Sequence, residues 1–451
     1  MTAAQDPPQA RQGPRPLAFH LAAAQTAWMT SLGVLPISRL ASLASNPPWP
    51  TPPTEAETAQ VAAAEAQAAE AAAAGADPGR ADRVAELAAL ARALGAADPA
   101  AAHAALAGEI ARRFDAFLTG LERYRHHPYR RALPDPPVLW REGGTRLLDF
   151  GGLPGAAADG QPVLVVPSLV NRGYVLDLTE ATSLMRWLAA GPAPGGRFRP
   201  LLVDWGWPDE AARHFTLTDY VAGRLERAFE AALTTTGGPM PVLGYCMGGL
   251  LAVALAARRR DVSALALLAT PWDFHAEDPG RATRLAAAME PFRPAIATWG
   301  ALPVDGVQML FAMLDPLLAL DKFARFARMP EDSPRVEPFV ALEDWLNDGV
   351  PLAGPVAMEC LDGWYGRNTP AAGAWAVAGA PVVPETLSLP SLHVVPDRDR
   401  IVPPASARGL AGRIPGSETL SPALGHIGMI VGGRGRAQVW EPLASWLATH
   451  G

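Results

Sequence analysis

From residue 137 onward the chain alternates between short unbroken apolar runs and longer stretches whose apolar residues recur at helical spacing. Runs at 162–166 (Pro-Val-Leu-Val-Val), 201–204, 241–245, 264–269 and 392–395 hold few polar positions. That is the pattern of strands buried on both faces. Residues 418–420 add a further strand, and 138–140 with 146–150 read as a hairpin around Glu142-Gly143-Gly144. Between the runs, 217–233, 247–260 and 437–448 carry helical spacing. Alternating strands and helices predict an α/β fold with a mostly parallel sheet covered on both faces. Between about 272 and 389 the alternation stops, and Met, Phe, Trp and Pro are frequent, with helical patterning near 307–326 and 339–345. A helical insertion between two sheet strands follows, placed to act as a lid over the C-terminal strand edge.

The first 136 residues read differently. Residues 1–15 form a Pro-, Gln- and Arg-rich tail of disordered character, and 17–34 are apolar but broken by His20, Gln25 and Thr26. Such a stretch is too interrupted for a spanning helix of about 20 apolar residues; a helix with one sticky face fits better. Residues 45–54 carry five prolines and read as a linker. Residues 55–118 are alanine-rich and favour helix, interrupted at Asp77-Pro78-Gly79 and Asp98-Pro99. The expected organisation is therefore tail, apolar helix and linker over 1–54, a helical accessory segment over 55–136, and a catalytic domain over 137–451. His126 and His127 are adjacent, but no third ligand stands at metal-site spacing, so no metal is expected.

Composition narrows the functional classes. Lys and Arg number 38 against 45 Asp and Glu, a net charge of −7 that offers no electrostatic case for nucleic acid. Hydrophobic residues at 49% exclude wholesale disorder. Two cysteines, Cys246 and Cys360, make no disulfide framework and suit a reducing, cytoplasmic compartment.

The chemistry concentrates at Gly244-Tyr245-Cys246-Met247-Gly248-Gly249, directly after one expected strand and before a helix. This is the G-x-S-x-G nucleophile elbow of the α/β-hydrolase fold with cysteine in the serine position. With 42 Gly and 2 Cys among 451 residues, chance supplies G-x-C-x-G about 0.02 times. The sharp turn lifts the nucleophile above the sheet, the flanking glycines let strand and helix approach, and the Met247 N–H faces a developing oxyanion. A thiol with a reference pKa of about 8.5 needs a base. In this fold the partners follow in the order nucleophile, acid, histidine. Asp397 and Asp399 both lie just past the 392–395 strand, and His426 follows the 418–420 strand. His393 falls inside a strand and reads as packed; His275 beside Asp273 is the competing base.

With these motifs in place the chain resembles the polyhydroxyalkanoate synthase family, whose elbow carries cysteine. The resemblance runs from about residue 137 to the end, through Pro167-Ser168-Leu169-Val170-Asn171-Arg172-Gly173-Tyr174, Asp204-Trp205-Gly206-Trp207-Pro208, Asp399-Arg400-Ile401-Val402-Pro403 and Gly425-His426-Ile427. Around Trp345, Asp348, Trp364 and Asn368 it is nearest to the two-subunit branch. It implies Asp399 as the acid, Val170 as the second oxyanion N–H donor, and polymerisation of 3-hydroxyacyl-CoA through an acyl group on Cys246. Arg400 stands where the family commonly has histidine. Coenzyme A is polyanionic, so Arg172 (with Asn171 beside it), Arg398 and Arg400 are the expected substrate contacts. No cofactor is implied beyond the CoA of the substrate; a polyester granule surface, a homo-oligomer or a second synthase subunit are the implied partners. Hydrolysis of thioesters or polyester by the same residues, and a non-catalytic granule-associated subunit, stay open as alternatives.

Overall fold

An eight-stranded sheet forms the centre of the computed structural model, which describes residues 11–33, 98–191 and 196–451 with isolated positions 86, 89 and 93. The strands are β1 (Val138–Glu142), β2 (Thr145–Asp149), β3 (Gln161–Val166), β4 (Phe198–Asp204), β5 (Met240–Tyr245), β6 (Val262–Leu268), β7 (Ser391–Val394) and β8 (Glu418–Leu420). Their order across the sheet is β1-β2-β4-β3-β5-β6-β7-β8. Only the β1–β2–β4 edge is antiparallel; every pairing from β4 to β8 is parallel. The expected hairpin and the α/β-hydrolase architecture are both present.

Two-residue periodicity explains how a continuous apolar run serves both faces. Leu164 and Val166 of β3, Val242 of β5 and Leu265 and Leu267 of β6 pack into one cluster with the helix Met247–Arg258. Their neighbours Val163 and Val165, Leu243 and Tyr245, and Ala264 and Ala266 pack into another with the helices Leu184–Ala190 and Glu441–His450.

By packing, the chain divides into two units: Met1–Phe19 with Arg123–Leu318 and Met329–Gly451, and His20–Glu122 with Ala319–Arg328. The first holds the sheet. Within the second, Phe117 and Phe323 meet edge to face at 6.1 Å, both fully buried. Gly120 allows that approach, since a Cβ there would sit 2.0 Å from the Phe323 carbonyl oxygen. The apolar stretch near the N-terminus forms the helix Leu17–Gly33, and Pro99–His126 is helical. The 45–54 linker, and most of the alanine-rich segment before residue 98, lie outside the described residues. Among the described residues no helix is long and apolar enough to cross a membrane, and no cluster of three metal-ligating side chains occurs.

The helix expected over 307–326 is two helices, Val304–Leu314 and Leu318–Ala327. Pro316 is the reason: its ring pushes the preceding residue out of helical space, and Asp315 has φ −149° and ψ 83°. The helix expected over 217–233 begins as a π-helical stretch, Asp219–Leu225, before Glu226–Thr236.

One buried charge node holds the loop after β3. The Asp177 carboxylate accepts from Arg131 at 2.8 Å, from Arg186 at 2.7 Å and from Ser183 Oγ at 2.7 Å. Removing the acid leaves two guanidiniums with a shared, uncompensated site. Asp177→Ala is expected to destabilise the protein by about 3 kcal/mol, read as a lower denaturant midpoint at unchanged slope.

Candidate active site

Cys246 stands between β5 and the helix Met247–Arg258 with φ 55° and ψ −128°, a backbone conformation that non-glycine residues rarely adopt. The surroundings hold it there. Its N–H donates to the Leu268 carbonyl at the end of β6 (2.9 Å), and its carbonyl accepts from Gly249 N–H (2.9 Å). A Cβ on Gly248 would lie 2.1 Å from the Val166 carbonyl oxygen, and one on Gly249 1.9 Å from Thr270 Oγ1. Only glycine lets the helix start this close to the sheet. Met247 opens the helix, so its N–H has no acceptor within it and points outward at the positive end of the helix dipole.

His426 lies on the loop after β8, buried, with Nδ1 2.6 Å from Asp399 Oδ2. The other carboxylate oxygen, Oδ1, accepts from the Ile401 N–H (2.8 Å) and the Val402 N–H (2.9 Å), which fixes the plane of the acid. Burial alone pulls the His426 pKa down, but the neighbouring Cys246 sulfur and the bond and charge of Asp399 outweigh it and raise the value to about 10. The protonated imidazolium is the form this site favours at neutral pH.

Cys246, His426 and Asp399 thus come together from three separate parts of the sequence. Asp397 does not join them; it pairs with Arg408 at 2.7 Å. His275 Nε2 is 2.8 Å from the Tyr365 carbonyl oxygen. His393, in β7, is buried, and burial depresses its pKa to about 4, so it stays neutral. Tyr245 is a neighbour that the motif alone did not single out: its ring lies 5.2 Å from the His426 ring, and its hydroxyl donates to the His426 carbonyl at 3.4 Å. It occupies a variable position of the motif, which carried no signal.

The thiol opens on a cavity of about 170 Å³ whose wall is largely apolar, including Val170, Met247, Phe274, Leu310, Phe311 and Trp364. Cys360 is also on the wall, but burial pushes its thiol far above the ordinary range, so it is no second nucleophile at neutral pH. Val170 is on the wall as well, yet its N–H donates to Ser168 Oγ at 3.0 Å. Asn171 and Arg172 stand off the wall. Asn171 has φ 62° and accepts from Gln308 Nε2 at 2.7 Å, and the Arg172 carbonyl accepts from Trp345 Nε1 at 2.6 Å. Both donors belong to the insertion, on the helices Val304–Leu314 and Val336–Asn347. The exposed Arg400 pairs with Asp315 at 3.1 Å.

A family model described as the alpha/beta hydrolase fold matches residues 161–433. Over 318 residues the chain is 30% identical to the poly(3-hydroxyalkanoate) polymerase subunit PhaC of Haloferax mediterranei, covering 69% of this chain and 63% of that one. It is 29% identical to the protein of the same name from Haloarcula marismortui (68% and 66% covered) and to that from Allochromatium vinosum (65% and 83%). The chain thus spans less than two thirds of the length of the first two. These relatives bear out the family resemblance carried by the sequence motifs.

Proposed function

The chain belongs to the alpha/beta hydrolase fold family, and from that premise we propose that it is an acyltransferase joining 3-hydroxyacyl units from CoA thioesters into polyester. The observation that carries the proposal is the Cys246–His426–Asp399 set, mounted on a strained elbow and facing a mainly apolar cavity. Thiolates exchange acyl groups with thioesters readily, which suits this nucleophile to this substrate.

The sulfur of Cys246 attacks the thioester carbonyl carbon, and the carbonyl oxygen takes the negative charge beside the Met247 N–H. The bond to the CoA sulfur breaks as the His426 imidazolium gives that sulfur its proton. The neutral imidazole then accepts the proton of a hydroxyl on the growing chain. That oxygen attacks the acyl carbon, the Cys246 thiolate leaves, and the imidazolium is restored. Asp399 holds the ring in register and stabilises its charge throughout. Val170 serves as second donor to the oxyanion once its N–H leaves Ser168 Oγ. The apolar wall favours a chain hydroxyl over water as acceptor. The steps use only groups of this chain and the CoA that arrives with the substrate.

The relatives from Haloferax mediterranei and Haloarcula marismortui are polymerase subunits by name, which supports a second subunit as partner. With it goes work in the cytoplasm at the surface of the insoluble product. Incubation of the purified protein with 3-hydroxybutyryl-CoA and a thiol reagent tests the reading. CoA release with insoluble polyester is expected. Release with free 3-hydroxy acid would make it a hydrolase, and no release would leave a non-catalytic subunit.

A further inference from the structure

The largely apolar wall of the cavity that Cys246 opens on carries a small polar patch. The end of β6 is tied to Cys246 through the Cys246 N–H bond to Leu268, and the chain then runs on to Asp273. Asp273 and Ser406 are both on the wall of the cavity that Cys246 opens on. Asp273 is held firmly. Its Oδ1 accepts from Asn368 Nδ2 (2.8 Å) and from the His275 N–H (2.9 Å), and its own N–H donates to the Ser406 carbonyl (3.3 Å). Asn368, itself at φ 52°, clamps the segment a second time by accepting from the Phe274 N–H at 3.0 Å.

Two capacities are left over. Among the described residues, Asp273 Oδ2 accepts no hydrogen bond. The buried Ser406 Oγ accepts from the Trp272 N–H at 3.2 Å, and its hydroxyl proton meets no acceptor among the described residues. One acceptor and one donor, fixed by backbone and amide contacts, therefore line the mainly apolar cavity onto which the thiol also opens. A hydroxyl is the group that fits both, because it donates one hydrogen bond and accepts another.

We propose that Asp273 and Ser406 form a subsite for the hydroxyl of the acyl group bound to Cys246, and so select hydroxyacyl over plain acyl thioesters. This rests on the thioester reading above. Asp273 Oδ2 accepts the hydroxyl proton and Ser406 donates to its oxygen; no bond is made or broken. A substrate lacking that hydroxyl leaves both groups desolvated and unpaired. Sites built to hydrogen-bond a substrate hydroxyl discriminate strongly for that reason.

The test compares single-turnover acylation of the full chain by 3-hydroxybutyryl-CoA and by butyryl-CoA, followed by CoA release and the intact mass of the protein. The wild type is expected to favour the hydroxylated substrate by at least about 100-fold. Asp273→Ala is expected to cut that ratio by about 10-fold or more. Ser406→Ala, which leaves the Asn368 clamp in place, moves the ratio the same way and covers the case in which Asp273→Ala fails to fold. Equal losses on both substrates in these variants, or a wild type indifferent to the hydroxyl, would overturn the subsite alone. A wild type acylated by neither thioester would overturn the thioester reading with it.

Discussion

Replacing Cys246 by alanine is expected to lower CoA release from 3-hydroxybutyryl-CoA by on the order of 10⁴-fold or more, as loss of a nucleophile does elsewhere. The fold should survive, because the thiol is only half-buried and the strain at φ 55° is imposed by the backbone around it. An unchanged denaturant midpoint would show that the chemistry alone has gone. Cys246→Ser separates nucleophile from shape. A hydroxyl ionises far less readily than a thiol, so little of the activity should return although the side chain is nearly the same size. Intact-mass measurement during turnover supplies the independent reading: the wild type gains one acyl group, and neither variant does. Full activity in Cys246→Ala would remove this residue from the mechanism altogether.

Asp399→Asn is the second large effect, an expected fall in kcat of about 10³–10⁴-fold with the site geometry kept. The amide can still accept from the Ile401 and Val402 N–H groups through its oxygen, as Asp399 Oδ1 does. What then faces His426 Nδ1 is an NH₂ group, which cannot accept the imidazole proton. The variant also changes the pH dependence. The folded His426 pKa, about 10, lies above the ordinary value, so its protonation stabilises the folded state fully below the unfolded pKa, near 6.5. That contribution is lost as pH rises from there through about 10. With the carboxylate charge removed the folded pKa drops and the window narrows. A titration of the His426 ring by NMR, beside stability measured across that range, checks the sign. A His426 titration that does not move in Asp399→Asn would contradict the assignment.

The sheet was legible because each buried strand is a short apolar run, and the nucleophile because three glycines and a cysteine at fixed spacing describe one physical turn. The acid was not settled by position, since Asp397 and Asp399 both follow β7. Three-dimensional contacts separate them: Arg408 draws off Asp397, while two backbone N–H groups turn Asp399 toward the imidazole. Asn171 and Arg172 sit beside Val170 in sequence, yet the left-handed backbone at Asn171 directs its side chain to Gln308 and off the cavity wall. The break at Asp315-Pro316 was visible as an X-Pro pair, but helical spacing on both sides outweighed it. Asp273 and Ser406 carried no joint signal, because 133 residues separate two positions that one cavity brings together.

Gln308 and Trp345 grip Asn171 and Arg172, the two residues just beyond Val170. Cover and catalytic loop are therefore geared to each other. A substitution at Gln308 or Trp345, neither of them on the cavity wall, therefore reaches the segment that carries Val170 through these two bonds.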